Sequence, residues 1–185
     1  MTSGDGLPTG LLRRFWFSVV DCADPTVRRA CHYLGMAATL QITIDCTDPG
    51  ILVPFWVEAI GYVVEPTPSG LPTWNEHWRS IGVPEHEIPA DRDAADSIVD
   101  PAGVGPRIWF QQVPEAKSVK NRLHLDIKVS GGREVPLDLR RERVFAEAQR
   151  LVGLGARQLR VLEADGLDHV AVVLQDPAGN EFCVG

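Results

Sequence analysis

The chain is poor in the residues that define several common protein classes. Its four cysteines, Cys22, Cys31, Cys46 and Cys183, are too few and too scattered over 185 residues for a disulfide scaffold. No two form a CxxC pair, which removes a structural zinc knuckle. Free or buried thiols in a reducing cytoplasm are the expectation. No apolar run approaches the 18 residues of a membrane span. Arg13-Arg14 and the following Phe-Trp-Phe resemble the start of a secretion signal, but the apolar run breaks at Asp21. Basic residues are in the minority, 18 Lys and Arg against 25 Asp and Glu, for a net charge of -7. Such a chain needs a local basic stripe before nucleic acid becomes a partner. Its one basic cluster, Arg140, Arg141 and Arg143, is interrupted by Glu142 and reads as a solvated helix face. Neither a Gly-rich phosphate loop nor a Gly-x-Ser-x-Gly elbow occurs.

What is present is an ordinary globular composition, with 44% hydrophobic and 23% charged residues. Residues 1–35 are irregular, with a short helix expected over 27–35. Met36 then precedes a clear strand pattern. Two readings follow: a natural start at Met36 with residues 1–35 as an upstream extension, or an appended helix packed on the domain.

From Leu40 the chain passes twice through one plan. In the first pass the strand Leu40–Cys46 is followed by Asp48 as a helix cap and Pro49 at the first helical position. This helix runs through Phe55, Trp56 and Ile60 to Gly61. Strands at 62–65 and 97–99 enclose an excursion rich in Pro, Gly and Trp, with a short helix over 74–82. Asp100-Pro-Ala-Gly103 then precedes a strand over 107–113. In the second pass a strand over 122–129 leads to a helix around 140–152, with Val144, Phe145, Ala148, Leu151 and Val152 at helical spacing. Residues 157–162 alternate as a half-buried strand should. A strand starting at Asp168-His169 and a last one over 181–184 flank Asp176-Pro-Ala-Gly179. One Asp-Pro-Ala-Gly is a common turn; two at equivalent points mark a duplication. The fold expected is α+β: two βαβββ modules, 38–115 and 120–185, within a domain over 36–185. Their curled mixed sheets surround an open trough, a natural small-molecule site.

Several stretches resemble the glyoxalase-like proteins of the vicinal oxygen chelate superfamily, the glyoxalase/bleomycin-resistance/dioxygenase group. Gln41-Ile-Thr-Ile-Asp-Cys-Thr-Asp48-Pro49 is similar to its first strand and helix start, and Phe55-Trp56 with Gly61-Tyr62 to the helix and its exit. Residues 108–117 and 120–126 resemble its module junction, and 176–184 its ending. The resemblance covers about residues 38–184.

It implies one divalent metal (Zn, Ni, Mn or Fe) held by the first and last strands of each module. Position by position, the ligands fall on Gln41, Gln111, His124 and Cys183. The family usually has Glu at the last-strand positions. Two neutral amides bind divalent ions weakly, so the metal site reads as degraded. Glu181 shares its strand face with Cys183 and is a substitute donor. A one-residue shift to Gln112 flips the face. A His–Cys pair with Glu181 would suit zinc.

Other candidates come from strand periodicity. Asp45 shares a face with Gln41, Asp126 with His124, and Trp109 with Gln111. In the excursion, Trp74 and Trp78 at i,i+4 spacing either form a flap over the trough, with His77, His86 and Glu85 nearby, or pin the segment to the sheet. Pinning is the preferred reading. Lys117, Lys120 and Arg122 near the junction either steer an anion or are simply solvated.

Three functions compete. The first is a small-molecule binder without strong metal chemistry. The second is a divalent-metal-dependent lyase, isomerase or dioxygenase. The third is a structural or partner-binding module. The resemblance also implies a homodimer as one assembly, with modules paired within or between chains.

Overall fold

The computed structural model describes residues 39–163, 166 and 168–185. The short helix expected over 27–35 and the start at Met36 lie outside the described residues. Leu40–Gly185 form one compact unit. The first module contains β1 (Gln41–Cys46), α1 (Pro49–Ile60), β2 (Val63–Val64), α2 (Trp74–Ser80), β3 (Ser97–Val99) and β4 (Arg107–Gln112). The second contains β5 (Leu125–Ile127), α3 (Leu137–Gly153), β6 (Arg157–Glu163), β7 (Val170–Gln175) and β8 (Glu181–Val184). The sheets have equivalent orders, β1-β4-β3-β2 and β5-β8-β7-β6. In each, the first strand pairs parallel with the last and the remaining pairs are antiparallel. The duplicated βαβββ plan is therefore the architecture, and the sheets stay open.

Local chemistry sets the ends of α1. The Asp48 carboxylate accepts from the Gly50 N–H at 2.8 Å, and Pro49 has no N–H to leave unpaired. At the other end Gly61 adopts φ 71°, a left-handed conformation that costs glycine little, and its N–H reaches the Val57 carbonyl.

One core runs through both modules. Leu52, Phe55 and Trp56 of α1 meet Ile98, Ile108 and Phe110 of the first sheet, Val144, Ala148 and Leu151 of α3, and Val172, Leu174, Phe182 and Val184 of the second sheet. Phe182 stacks edge-on against Phe55 and Trp56, with centroids 6.0 and 5.2 Å apart. Two polar ties reinforce this junction. The Trp56 indole N–H donates to Asp176 at 3.2 Å. The Arg150 guanidinium donates at 3.1 Å to the carbonyls of Glu58 and Ala59, which the last turn of α1 leaves without helical partners.

The two Asp-Pro-Ala-Gly turns use their aspartates alike but sit differently. Asp100 accepts from the N–H groups of Ala102, Val104 and Gly105 at the surface. Asp176 accepts from Ala178 and Asn180 and also takes the Trp56 indole; it is buried.

Four expectations need correction. The strand expected over 122–129 is shorter, Leu125–Ile127, because β8 begins at Glu181 and the turn before it offers 122–124 no strand partner; beyond it Val129 still donates to the Gly185 carbonyl at 3.0 Å. The second helix starts at Leu137, just after Pro136, earlier than its apolar spacing indicated. Strand β6 is exposed at all seven residues: it is the outer strand of its sheet, and a register shift between Gln158 and Arg160 breaks the alternation. Arg140 is buried rather than solvated, because its guanidinium pairs with Asp168 and donates to the Val135 carbonyl.

Candidate functional site

Side chains on odd-numbered positions of β1 and β4 point away from α1, opposite Ile42, Ile44, Ile108 and Phe110. Parallel pairing sets Gln41 beside Arg107, Thr43 beside Trp109 and Asp45 beside Gln111. On the second sheet, Asp126 stands beside Cys183, with Phe182 and Val184 on the core side.

Two depressions among the described residues bear on these positions. The larger has a volume of about 670 Å³ and lies between β1 on one side and β5, β8 and the 113–123 connection on the other. Ile42, Ile44, Trp56, Leu125 and Phe182 give it an apolar floor; Asp45, Glu115, Lys117, Lys120, Asn121 and Glu181 give it a polar rim. The smaller, about 320 Å³, lies on the second sheet and takes in His124, Asp126, Cys183, Arg133 and His169. The eight candidates thus separate. Asp45 and Glu181 line the larger depression; His124, Asp126 and Cys183 line the smaller; Gln41, Trp109 and Gln111 line neither.

On the first sheet a polar network that sequence reasoning missed takes up Gln41 and Trp109. The Arg107 guanidinium grips Glu65 with both carboxylate oxygens, donates to Ser97 Oγ at 2.7 Å and reaches Gln41 Oε1 at 2.8 Å. The Trp109 indole N–H donates to Asp96 at 2.7 Å. Burial pushes the Asp96 carboxyl above the usual range despite this bond and that from Ser97. An Arg seven residues after Asp100, with Glu65 the first residue past β2, carried no spacing signal.

The excursion is pinned. Trp74 is buried and its indole donates to the Glu65 carbonyl at 2.8 Å. Asp93 accepts from the N–H groups of Trp74 and Asn75, capping α2, while Asn75 bridges to Pro89, Arg92 and Ala94. Trp74 and Trp78 line neither depression.

Glu181 ties the 113–123 connection to β8. It accepts from the Asn121 N–H at 2.9 Å and pairs with Lys117 at 3.3 Å. These partners, the backbone N–H foremost, hold its carboxyl below the usual glutamate range. Its folded pKa is depressed, so its contribution to stability is present above the unfolded value and is lost as pH falls through the folded one. Glu181→Gln is expected to flatten the acid limb of a stability–pH profile measured by urea unfolding. An unchanged limb would show that the tie contributes nothing.

The implied metal does not fit these residues. The Gln41 oxygen is taken by the Arg107 guanidinium, whose charge opposes a cation there. His124 Nε2 lies 3.0 Å from the Lys120 ammonium. The Cys183 thiol is pushed up, first by burial and then by Asp126, whereas a metal takes the thiolate. Among the described residues no three His, Cys, Asp or Glu side chains gather as a metal group. Cys46 is held more firmly as a thiol, its pKa pushed up to about 12 by burial and by Asp176. Brief iodoacetamide treatment of the native protein at pH 8, read by peptide mass spectrometry, is expected to leave Cys46 unmodified; rapid alkylation would contradict its burial.

A family model described as a glyoxalase-like domain matches residues 41–185, and the chain belongs to that family. No curated protein matches it. Among solved structures, it is similar to a fosfomycin resistance protein, FosX, from Listeria monocytogenes, complexed with Mn(II) and a dihydroxypropylphosphonic acid. The identity is 10% over 80% of this chain and 91% of that one, with a TM-score of 0.50. A glyoxalase/bleomycin resistance protein/dioxygenase family enzyme from Burkholderia phytofirmans PsJN is 17% identical over 80% of this chain and 97% of its own, with a TM-score of 0.47. The fold is that of the glyoxalase-like family whose model it matches, and it is shared with the fosfomycin resistance protein. Among the described residues no helix is long and apolar enough to cross a membrane.

Proposed function

We propose that this protein binds a small molecule in the cleft between β1 and the second sheet, without a metal at the positions its relatives' pattern implies. The observation that carries this reading is the cleft itself. A space of about 670 Å³ with an apolar floor and a rim of separated charges is of the size and character that holds small ligands. The donor set supports the metal-free part, since Arg107 and Lys120 place positive charge on two of the four positions.

The test is a thermal-shift screen of the full chain against a metabolite panel, with and without added Zn, Ni, Mn or Fe(II). A ligand present at about 100 times its Kd stabilises by about 2.7 kcal/mol. Stabilisation without metal is expected, and it should disappear in Ile44→Trp, which fills the cleft. Metal binding tighter than micromolar that vanishes in His124→Ala would overturn the metal-free reading. Ligand effects that survive Ile44→Trp would overturn the choice of cleft.

A further inference from the structure

The larger cleft touches β1 in an unusual way. Every β1 residue from Ile42 to Cys46 lines it, as does Thr47 just after the strand. Successive residues of a strand point to opposite faces, so a cavity lying over one face would meet only every second one. This cavity runs along the edge. Among the described residues that edge is open: β1 is an outer strand, paired only to β4, and β5 on the far side is likewise paired only to β8. Alternate residues of β1 therefore turn N–H and C=O groups into the cleft, where a ligand or water must meet them.

The charges in the cleft are also unevenly satisfied. Glu181 is engaged by Lys117 and Asn121, and Lys120 lies against His124. Asp45, on β1 itself, and Glu115 make no hydrogen bond or ion pair among the described residues. An occupant that matched the cleft would present amides to the β1 edge, apolar groups to Ile44, Trp56 and Phe182, and a cation to Asp45.

We propose that the cleft takes an extended peptide-like ligand bearing a basic group, which adds as a strand to the open edge of β1. This rests on the reading of the cleft as the binding site. Main-chain hydrogen bonds along an edge supply affinity, and alternate side chains supply selectivity. Six strand residues extend about 20 Å, enough to engage a tetrapeptide along its whole length. Asp45 then meets the cation at the rim while the apolar side chains face the floor.

The experiment titrates the full chain by calorimetry with capped tetrapeptides of Val, Leu and Phe containing one Lys. The tightest binder is then remade in three forms: with each of the two alternate sets of backbone nitrogens methylated, and with Lys replaced by norleucine. One methylated form is expected to lose at least about tenfold in affinity while the other keeps it, since only one set of N–H groups faces the strand. Asp45→Asn is expected to weaken the Lys peptide about tenfold and leave the norleucine peptide unchanged. Equal binding by both methylated forms, or indifference to Asp45→Asn, overturns the proposal. If no peptide binds but a metabolite does, and Ile44→Trp abolishes it, strand addition is overturned and the binding function stands. If neither class shows binding sensitive to Ile44→Trp, both readings fall.

Discussion

Replacing Trp56 with alanine is expected to destabilise the protein by about 3–5 kcal/mol, the range for emptying a large aromatic site in a core. The side chain is 2% exposed and sits where the two modules meet, against Phe55 and Phe182. Its loss also removes one of the donors to a buried carboxylate. Trp56→Phe separates these contributions: it retains most of the packing but not the indole N–H, and should cost about 1–3 kcal/mol. Burial holds Asp176 above the usual aspartate range, partly offset by its donors. A raised folded pKa means that the folded protein binds this proton more tightly than the unfolded chain. This contribution is present below the unfolded value and is lost as pH rises through the folded one. With one donor gone in Trp56→Phe, the loss across that window should steepen. Urea unfolding of the three proteins from pH 4 to 8 checks both points. Equal stability of Trp56→Phe and the parent at all pH values would mean that the bond across the junction is dispensable.

The second large effect is expected at Arg107. Arg107→Leu strands the half-buried Glu65 carboxylate and frees Ser97 and Gln41 at once. The expected cost is about 2–3 kcal/mol, below that of a fully buried pair because both side chains retain some exposure. Removing Glu65 as well, in Arg107→Leu with Glu65→Leu, should recover much of it, because the main penalty is the unpaired charge. A double-mutant cycle by urea unfolding measures this; additive losses would show that the two side chains act independently.

Much of the fold was legible because it is written in local chemistry. The cap at Asp48, the stop at Gly61 and the apolar spacing of α3 each act within a few residues. The repeated Asp-Pro-Ala-Gly carried the duplication, which no composition statistic shows. The site was less legible. Strand period placed Asp45 with Gln41, Asp126 with His124 and Trp109 with Gln111, each pair on one strand. It did not show that Gln41 is consumed by an arginine 66 residues away, or that the cleft follows an edge rather than a face. Both depend on how one sheet is placed beside another, which has no short-range signature. Arg140 failed for the same reason: its partner Asp168 is 28 residues distant, so a charged helix position became a buried one.

The bulge in β6 also bears on strand-to-strand aggregation. Two open sheets have four outer strands, and an outer strand that is long, flat and apolar invites other chains to add to it. Strand β2 is only two residues long. Strands β1 and β5 belong to the cleft region rather than to a free outer flank. That leaves β6, which is seven residues long and exposes Leu159, Val161 and Leu162. There the register shift next to Leu159 and the charge of Arg160 break the flat row that a fibril would need. Straightening that one strand, rather than weakening the core, is the change most apt to promote aggregation.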